Sequence, residues 1–468
     1  MKKNKTAKVK TRTEKDTMGT VNVPVSALYG AQTQRAIDNF PISDNKFLFD
    51  FIKAVTIIKR SAAIVNNNLG FLSNSHKNAI LSASDIILND KSNDNFPIDI
   101  FQTGSGTSTN MNVNEVLSNI ANKGPDLKGE NKVHPNDHVN MGQSSNDVIP
   151  TAINISSMIM IEKDLIPALN KMITVLDKKE SDFKNVLKIG RTHLQDATPI
   201  TLGQEFSGYK EMIVKSLKRI NESKENLKRL AQGGTAVGTG INTHKKFGRM
   251  VASEISDYTN LKFVESPNHF EAQSSQDSIV EFSGTLKSLS VCLNKIANDI
   301  RWLASGPRSG LGELIIPSVQ PGSSIMPGKV NPVICESMIQ VCAQVIANDT
   351  AITLGGLGSI FELNLMLPLI AHNILYSIKI LSNSINVFND KLLLGIKADK
   401  KKCNDYIEKS LAMCTSLAPI IGYDKAAKIA YEAYNSGKTV KQIVLEKNIL
   451  PPKEVESILN PKNMLKSK

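Results

Sequence analysis

Gly322-Ser323-Ser324-Ile325-Met326-Pro327-Gly328-Lys329-Val330-Asn331-Pro332 runs directly into Val333-Ile334-Cys335-Glu336-Ser337-Met338-Ile339-Gln340-Val341-Cys342-Ala343-Gln344-Val345. In the second half Ile334, Met338, Val341, Cys342 and Val345 recur at three- and four-residue steps, the apolar stripe of an α-helix. Pro332 suits its first turn, where a missing N–H leaves no bond unmade. The first half is a glycine/serine loop delivered onto that helix N-terminus. Glycines let backbone N–H groups turn inward and the helix end adds positive potential, so the arrangement is chemically an anion site. Lys329 adds a full positive charge, Asn331 an amide donor, and Ser323 and Ser324 a pair of hydroxyls.

The same helical period dominates elsewhere. The stretches from about 148 to 178 (Ile153, Ile155, Ile159, Leu165, Leu169, Met172, Val175) and from 276 to 304 are long and apolar on most sides. A helix apolar nearly all round must be buried nearly all round, which predicts an all-α bundle whose outer faces other subunits cover. Strand signals are few and short, and no internal repeat appears. At 468 residues the chain exceeds one ordinary core. Three domains are expected: a helical N-terminal domain over 1–143 with a basic tail at 1–15, a central bundle over 144–398, and a small helical domain over 399–468.

Composition excludes several functions. Aromatics make up 5% with a single tryptophan, Trp302, too few for a platform that stacks bases or sugars. No apolar run approaches the roughly 20 residues of a membrane helix, and no apolar stretch follows the N-terminal charges as a secretory signal requires; a cytoplasmic protein is expected. Of the net charge of +12, residues 1–15 carry +6, which reads as a solvated, disordered Lys-rich tail. The remainder is too thinly spread for a nucleic-acid-binding face. The five cysteines (292, 335, 342, 403, 414) form no C-x-x-C pair, so they read as buried reduced thiols.

Three further loops carry polar clusters. Ile189-Gly190-Arg191-Thr192-His193-Leu194-Gln195-Asp196-Ala197 puts a histidine on a loop or helix start, where it is available for proton transfer. His134-Pro135-Asn136-Asp137-His138 precedes Gln143-Ser144-Ser145-Asn146-Asp147, which opens the 148–178 helix with Asn146 or Asp147 as its cap. The two histidines at i, i+4 have no third ligand nearby, so no metal is expected. Gln102-Thr103-Gly104-Ser105-Gly106-Thr107-Ser108-Thr109-Asn110 leads into a helix, and with no Walker Lys-Ser/Thr after the glycines a nucleotide phosphate is not favoured.

Taken together these loops resemble the fumarase/aspartase group, which includes argininosuccinate and adenylosuccinate lyases. The resemblance runs from Asp16-Thr17-Met18-Gly19 and Tyr29-Gly30-Ala31-Gln32-Thr33 to Ala418-Pro419-Ile420-Ile421-Gly422-Tyr423-Asp424-Lys425-Ala426-Ala427, nearly the whole chain. His193, Thr103-Gly104-Ser105-Gly106-Thr107 and Gly328 look like the class II fumarase branch rather than the aspartases. Gly142 departs from it, standing where a serine is expected.

The resemblance implies a three-domain all-α fold with a long central helix bundle packed into a tetramer core, and each active site built from three subunits. It implies reversible hydration of fumarate to (S)-malate without metal or other cofactor. Ser323 is then the base, and His193, polarised by Glu336, handles the water. Ser105, Gly106, Thr107, Ser144, Ser145, Asn146, Thr192, Ser324, Lys329 and Asn331 grip the carboxylates. His134, Pro135, Asn136 and Asp137 correspond to a second, non-catalytic dicarboxylate site. Aspartase chemistry and a non-catalytic relative are the alternatives.

Overall fold

Helices account for most of the chain, and strands occur only in two-stranded sheets among the described residues. The structure is a computed structural model that describes residues 10–90, 93–124, 127 and 129–465. In chain order the helices used below are α1 (Ala31–Asn39), α2 (Phe49–Asn68), α3 (Asn74–Asn89), α4 (Thr107–Ala121), α5 (Ser145–Met160), α6 (Ile166–Phe183), α7 (Leu202–Ser223), α8 (Phe247–Thr259), α9 (His269–Ser274), α10 (Asp277–Leu303), α11 (Val333–Gly356) and α12 (Leu367–Lys391). Five shorter ones follow: α13 (Lys400–Lys409), α14 (Ala418–Ile421), α15 (Tyr423–Ser436), α16 (Val440–Glu446) and α17 (Pro452–Ile458). The hairpins are β1 (Thr11–Asp16) with β2 (Gly19–Pro24), and β3 (Leu187–Thr192) with β4 (Gln195–Thr201), both antiparallel. No helix among the described residues is long and apolar enough to cross a membrane.

The expected all-α class holds, and the three stretches read as long helices, 148–178, 276–304 and the one after Pro332, are helical. The 148–178 stretch is α5 and α6, joined by a π-helical turn at Ile161–Leu165. α5 is buried nearly all round, from Val148, Ile149, Ala152 and Ile153 to Ile155 and Met158. α10 differs: Phe282, Leu286, Leu289, Leu293, Ile296 and Ile300 form one buried stripe, while Val291 and Trp302 stay exposed. Each buried Leu, Ile or Phe contributes about 1.5–3 kcal/mol, so the stripe holds the helix and the far face adds nothing within one chain. On α11 the fully buried apolar positions are Cys335, Met338, Cys342, Val345 and Ile352, with Ile334 and Val341 at the margin of the stripe. Pro332 lies one residue outside the helix, and its carbonyl accepts from the Glu336 N–H.

The contacts divide the chain into two units. The first takes its described residues from 1–166, 219–288 and 344–381; the second takes them from 167–218, 289–343 and 382–465. In the first, α2 is the central helix, packed against α3, α5 and α8. In the second, Ile189 of β3 shares a core with Ile407, Met413, Leu417, Ile429, Ile443, Val444 and Val455 from the C-terminal helices.

The basic tail needs correction in part. Residues 1–9 lie outside the described residues, but Thr11–Asp16 is not a solvated coil. It pairs as β1 with β2, from Thr11 opposite Pro24 to Asp16 opposite Gly19. Arg35 of α1 locks the turn end with Nε 2.8 Å from Asp16 Oδ2, and this bond holds the Asp16 carboxyl below its usual range. The cysteines fit the reading of unpaired thiols: all five are free, three are buried, and burial pushes Cys335, Cys342 and Cys403 up to about 12. Cys292 and Cys414 are only half-buried.

Candidate active site

In the first unit, two loops open onto helices. Gly106 caps α4 in the left-handed region (φ 72°), and a Cβ there would lie 2.9 Å from Ile149 Cγ1, so the position admits only glycine. The turn brings Ser105 and Thr107 together, Oγ to Oγ1 at 2.8 Å. At the start of α5 the cap is Ser144, not Asn146 or Asp147: it alone of the three is extended (φ −127°, ψ 157°) and its Oγ accepts from the Asn146 N–H at 3.2 Å. Asp147 closes the capping box, accepting from the Ser144 N–H at 2.9 Å. Its other oxygen accepts from Gln232 Nε2 and the N–H groups of Gly233 and Thr235 at 3.0–3.1 Å. Burial pushes this carboxyl up to about 6 against those donors. The Asn146 amide donates to the Ala236 carbonyl at 2.7 Å. Gly142, where a serine is expected, has φ 70°, and a Cβ there would meet Thr243 Oγ1 at 2.8 Å.

Beneath these loops lies a polar network the sequence reading did not find. Lys59 of α2 is fully buried and donates to Asn140 Oδ1 (2.8 Å) and Gln143 Oε1 (3.0 Å). Asn140 Oδ1 also accepts from the amides of Asn110 and Asn114, and Asn110 donates to Ser145 Oγ, each at 3.2 Å. The available signal was a lysine at helical spacing within the stripe Ile52, Val55, Lys59, Ala62 and Asn66, where a charge needs buried partners.

His134 to Asp137 opens a π-helical turn, Pro135–Val139. His134 Nδ1 accepts from the Asp137 N–H (3.2 Å) and His138 Nδ1 accepts from the His134 N–H (2.8 Å), so main-chain bonds occupy one nitrogen of each ring. His138 stacks on His76 at 4.0 Å, and burial, then His76, lowers its basicity. His134, Pro135 and Asn136 line a cavity of about 580 Å³ together with Lys15, Gln32 and Asn119.

In the second unit, His193 is on a loop, one of the two placements expected, and not at a helix start. It forms, with Leu194, the two-residue turn between β3 and β4, and both are in the left-handed region (φ 57° and 59°). Such a turn matches strand twist, but non-glycine residues adopt it at a cost of roughly 1–2 kcal/mol each. His193 and Thr192 stand exposed at the hairpin tip. Along β3 the hairpin is anchored by a buried ion cluster: Arg191 grips Glu313 with two bonds (2.8 and 3.1 Å), and buried Lys188 lies 3.6 Å from Glu313 and 3.4 Å from Glu205. Glu313 is fully buried, so Glu313→Ala strands two cations. Removing one member of a buried ion set costs about 3–5 kcal/mol, and denaturant unfolding should show that loss, with Glu313→Gln intermediate. A change below about 1 kcal/mol would mean that the cluster is not what holds the hairpin.

The loop quoted at the outset closes on itself. The Asn331 amide donates to the Gly322 carbonyl, and the Lys329 N–H to the Met326 carbonyl at 3.3 Å. Ser323 Oγ accepts from the N–H groups of Ile325 (3.3 Å) and Met326 (3.1 Å). Ser324 and Lys329 are exposed on the same loop, and Glu336 is exposed in the first turn of α11. The fold thus gathers Ser323, Ser324, Lys329 and Asn331, and separately Ser105 with Thr107 and Ser144 to Asn146. Among the described residues, no hydrogen bond or ion pair joins His193 to Glu336.

Comparison with known proteins gives these loops a context. A family described as "Lyase" matches residues 19–347, and one described as "Fumarase C C-terminus" matches residues 413–466. The class II fumarate hydratase of Bacillus cereus is 49% identical over 98% of this chain and 99% of its own. That of Wigglesworthia glossinidia brevipalpis is 49% identical, again over 98% and 99%. The crystal structure of a class II fumarase from Schistosoma mansoni superposes with a TM-score of 0.94 at 38% identity, covering 97% of this chain and 99% of that one.

Proposed function

The chain belongs to the class II fumarate hydratase family of lyases, and from that premise we propose that it interconverts fumarate and (S)-malate with Ser323 as base and His193 as the group that handles water. The observation that carries this reading is the environment of Ser323 Oγ. A serine hydroxyl is a poor base at its free pKa and works only where donors stabilise its alkoxide. Two backbone N–H groups point at this oxygen from its own loop, and the Lys329 ammonium shares that loop.

In the dehydration direction Ser323, its own proton already lost to solvent, takes the proton from C3 of malate as the alkoxide and becomes the neutral hydroxyl. The electron pair left behind forms the double bond and expels the C2 hydroxyl, which leaves as water with a proton from His193. Glu336 orients and polarises that imidazole. Lys329, Asn331, Ser324 and Thr192 grip the carboxylates with Ser105, Gly106, Thr107, Ser144, Ser145 and Asn146. Each charge-assisted bond is worth about 1.5–3 kcal/mol, so a few converging donors hold a dicarboxylate. His134 to Asp137 would take a second dicarboxylate at the cavity beside β1.

His193 and Glu336 meet in this reading only between subunits of a homotetramer, each site drawing on three chains. In support, one chain leaves apolar side chains uncovered: Ile325 is 82% exposed, Leu357 76% and Phe361 88%. A cytoplasmic setting suits five unpaired cysteines. The test follows the fumarate absorbance band with chelator-treated protein and (S)-malate, with aspartate in parallel. Fumarate from malate alone is expected. Release from aspartate only would move the chain to ammonia-lyase chemistry, and silence with both to a non-catalytic role.

A further inference from the structure

Lys59 is unusual among the buried groups of the first unit because the proposed reaction makes no use of it. It is a lysine with no exposed surface, set in the middle of α2. Burying a lone ammonium is costly, and two neutral amide acceptors compensate it only partly. Burial accordingly pulls its pKa down to about 7, against the attraction of Asp147, the one charged group acting on it. A purely apolar contact would serve packing at less cost.

What the ammonium touches suggests its use. Asn140 and Gln143 lie on the segment that ends at the Ser144 cap, and Asn140 also donates to the Gln143 carbonyl at 3.1 Å. Through Asn140 the network reaches Asn110 in the first turns of α4, and Asn110 in turn holds Ser145 Oγ. One buried cation therefore ties together the two loop-to-helix junctions that carry Ser105 to Thr107 and Ser144 to Asn146.

We propose that Lys59 is a positioning residue for dicarboxylate binding: its ammonium, bonded to Asn140 and Gln143, fixes both junctions and supplies positive potential beneath their helix N-termini. The proposal rests on the hydratase reading above. It is independent of Ser323 and His193, since Lys59 acts through the loops and not on the reacting atoms.

The test is steady-state kinetics of full-length protein with fumarate and (S)-malate between pH 6 and pH 9. Lys59→Met keeps most of the volume and removes the charge. The KM of both substrates should rise about tenfold to a hundredfold at pH 6.5, the span expected for a lost charge-assisted interaction, with kcat within about threefold because ground and transition states lose the same binding. The pH dependence carries a sign. Lys59 is charged below about pH 7 and neutral above it, so wild-type KM climbs as pH rises through that range. The variant lacks this rise, and the two KM values converge at high pH.

Gln143→Glu is the second variant. It leaves α2 intact, gives the ammonium a carboxylate partner, and should move the climb in KM upward by at least about one pH unit. This keeps the question open to refutation if Lys59→Met does not fold. Unchanged KM in Lys59→Met, or an unmoved climb in Gln143→Glu, overturns the proposal. Wild-type protein inactive toward malate and fumarate would instead overturn the hydratase reading.

Discussion

Ser323→Ala is expected to lower malate–fumarate turnover by about 10³-fold or more, the upper part of the range for loss of a general base, with KM and assembly state little changed. Ser323 Oγ is where the two N–H groups of Ile325 and Met326 converge, and no neighbouring hydroxyl shares that position. Ser324, next in the chain, is exposed and receives neither bond. A water drawn into the vacated space would meet the same donors, but it is not held over the substrate and is no stronger a base.

The substitution should leave the loop itself in place. Its closure depends on the Asn331 amide against the Gly322 carbonyl and on the Lys329 N–H against Met326, and neither involves the Ser323 side chain. Ser324→Ala is the control, with an expected rise in KM of a few-fold, about 1 kcal/mol of binding, and near-normal kcat. Coupled absorbance kinetics and mass by light scattering on the same samples check both. Should Ser323→Ala keep more than a tenth of wild-type kcat, Ser323 is not the base and the N–H pair serves only to shape the turn.

How much of this was legible in the sequence varied with the physics involved. Three long helical stretches were, because a sustained 3.6-residue apolar period is a local signal, and α11 follows Asn331-Pro332 as its stripe requires; α2, α7 and α12, equally long, were not singled out. The 322–332 loop and its delivery onto the start of α11 were also legible, because glycine, proline and a helix start are local signals. The β1–β2 hairpin was not: Thr11 to Asp16 alternates exposed with half-buried positions, but the lysines around it dominated the reading.

The cap of α5 was misplaced by two or three residues because Ser144, Asn146 and Asp147 are all good caps. Only the path of the chain decides which one is extended. Lys59 was missed for a different reason: its partners Asn140 and Gln143 are some eighty positions away, and helical periodicity carries no information about them. The hairpin at His193 lacks the Asn-Gly or Asp-Gly pair that announces such turns. What the hairpin has instead is the Arg191–Glu313 bond, made across 122 positions of sequence.

That turn gives the second large prediction its form. His193→Asn should cost about 10²–10⁴ in kcat, the span for a lost acid–base group, yet leave stability unchanged or slightly raised. His193 sits at φ 57° beside Leu194 at φ 59°, and asparagine tolerates the left-handed region better than most residues because its short amide bonds to the local backbone. The substitution thus removes an imidazole while easing the backbone that carries it. A replacement acting through misfolding would lower activity and melting temperature together; here they should separate. Assay of both directions beside a thermal melt decides the matter. Activity near wild type would remove His193 from the reaction. Activity and stability lost in parallel would mean that the turn requires the imidazole for its shape, and the water would then have to be handled by another group.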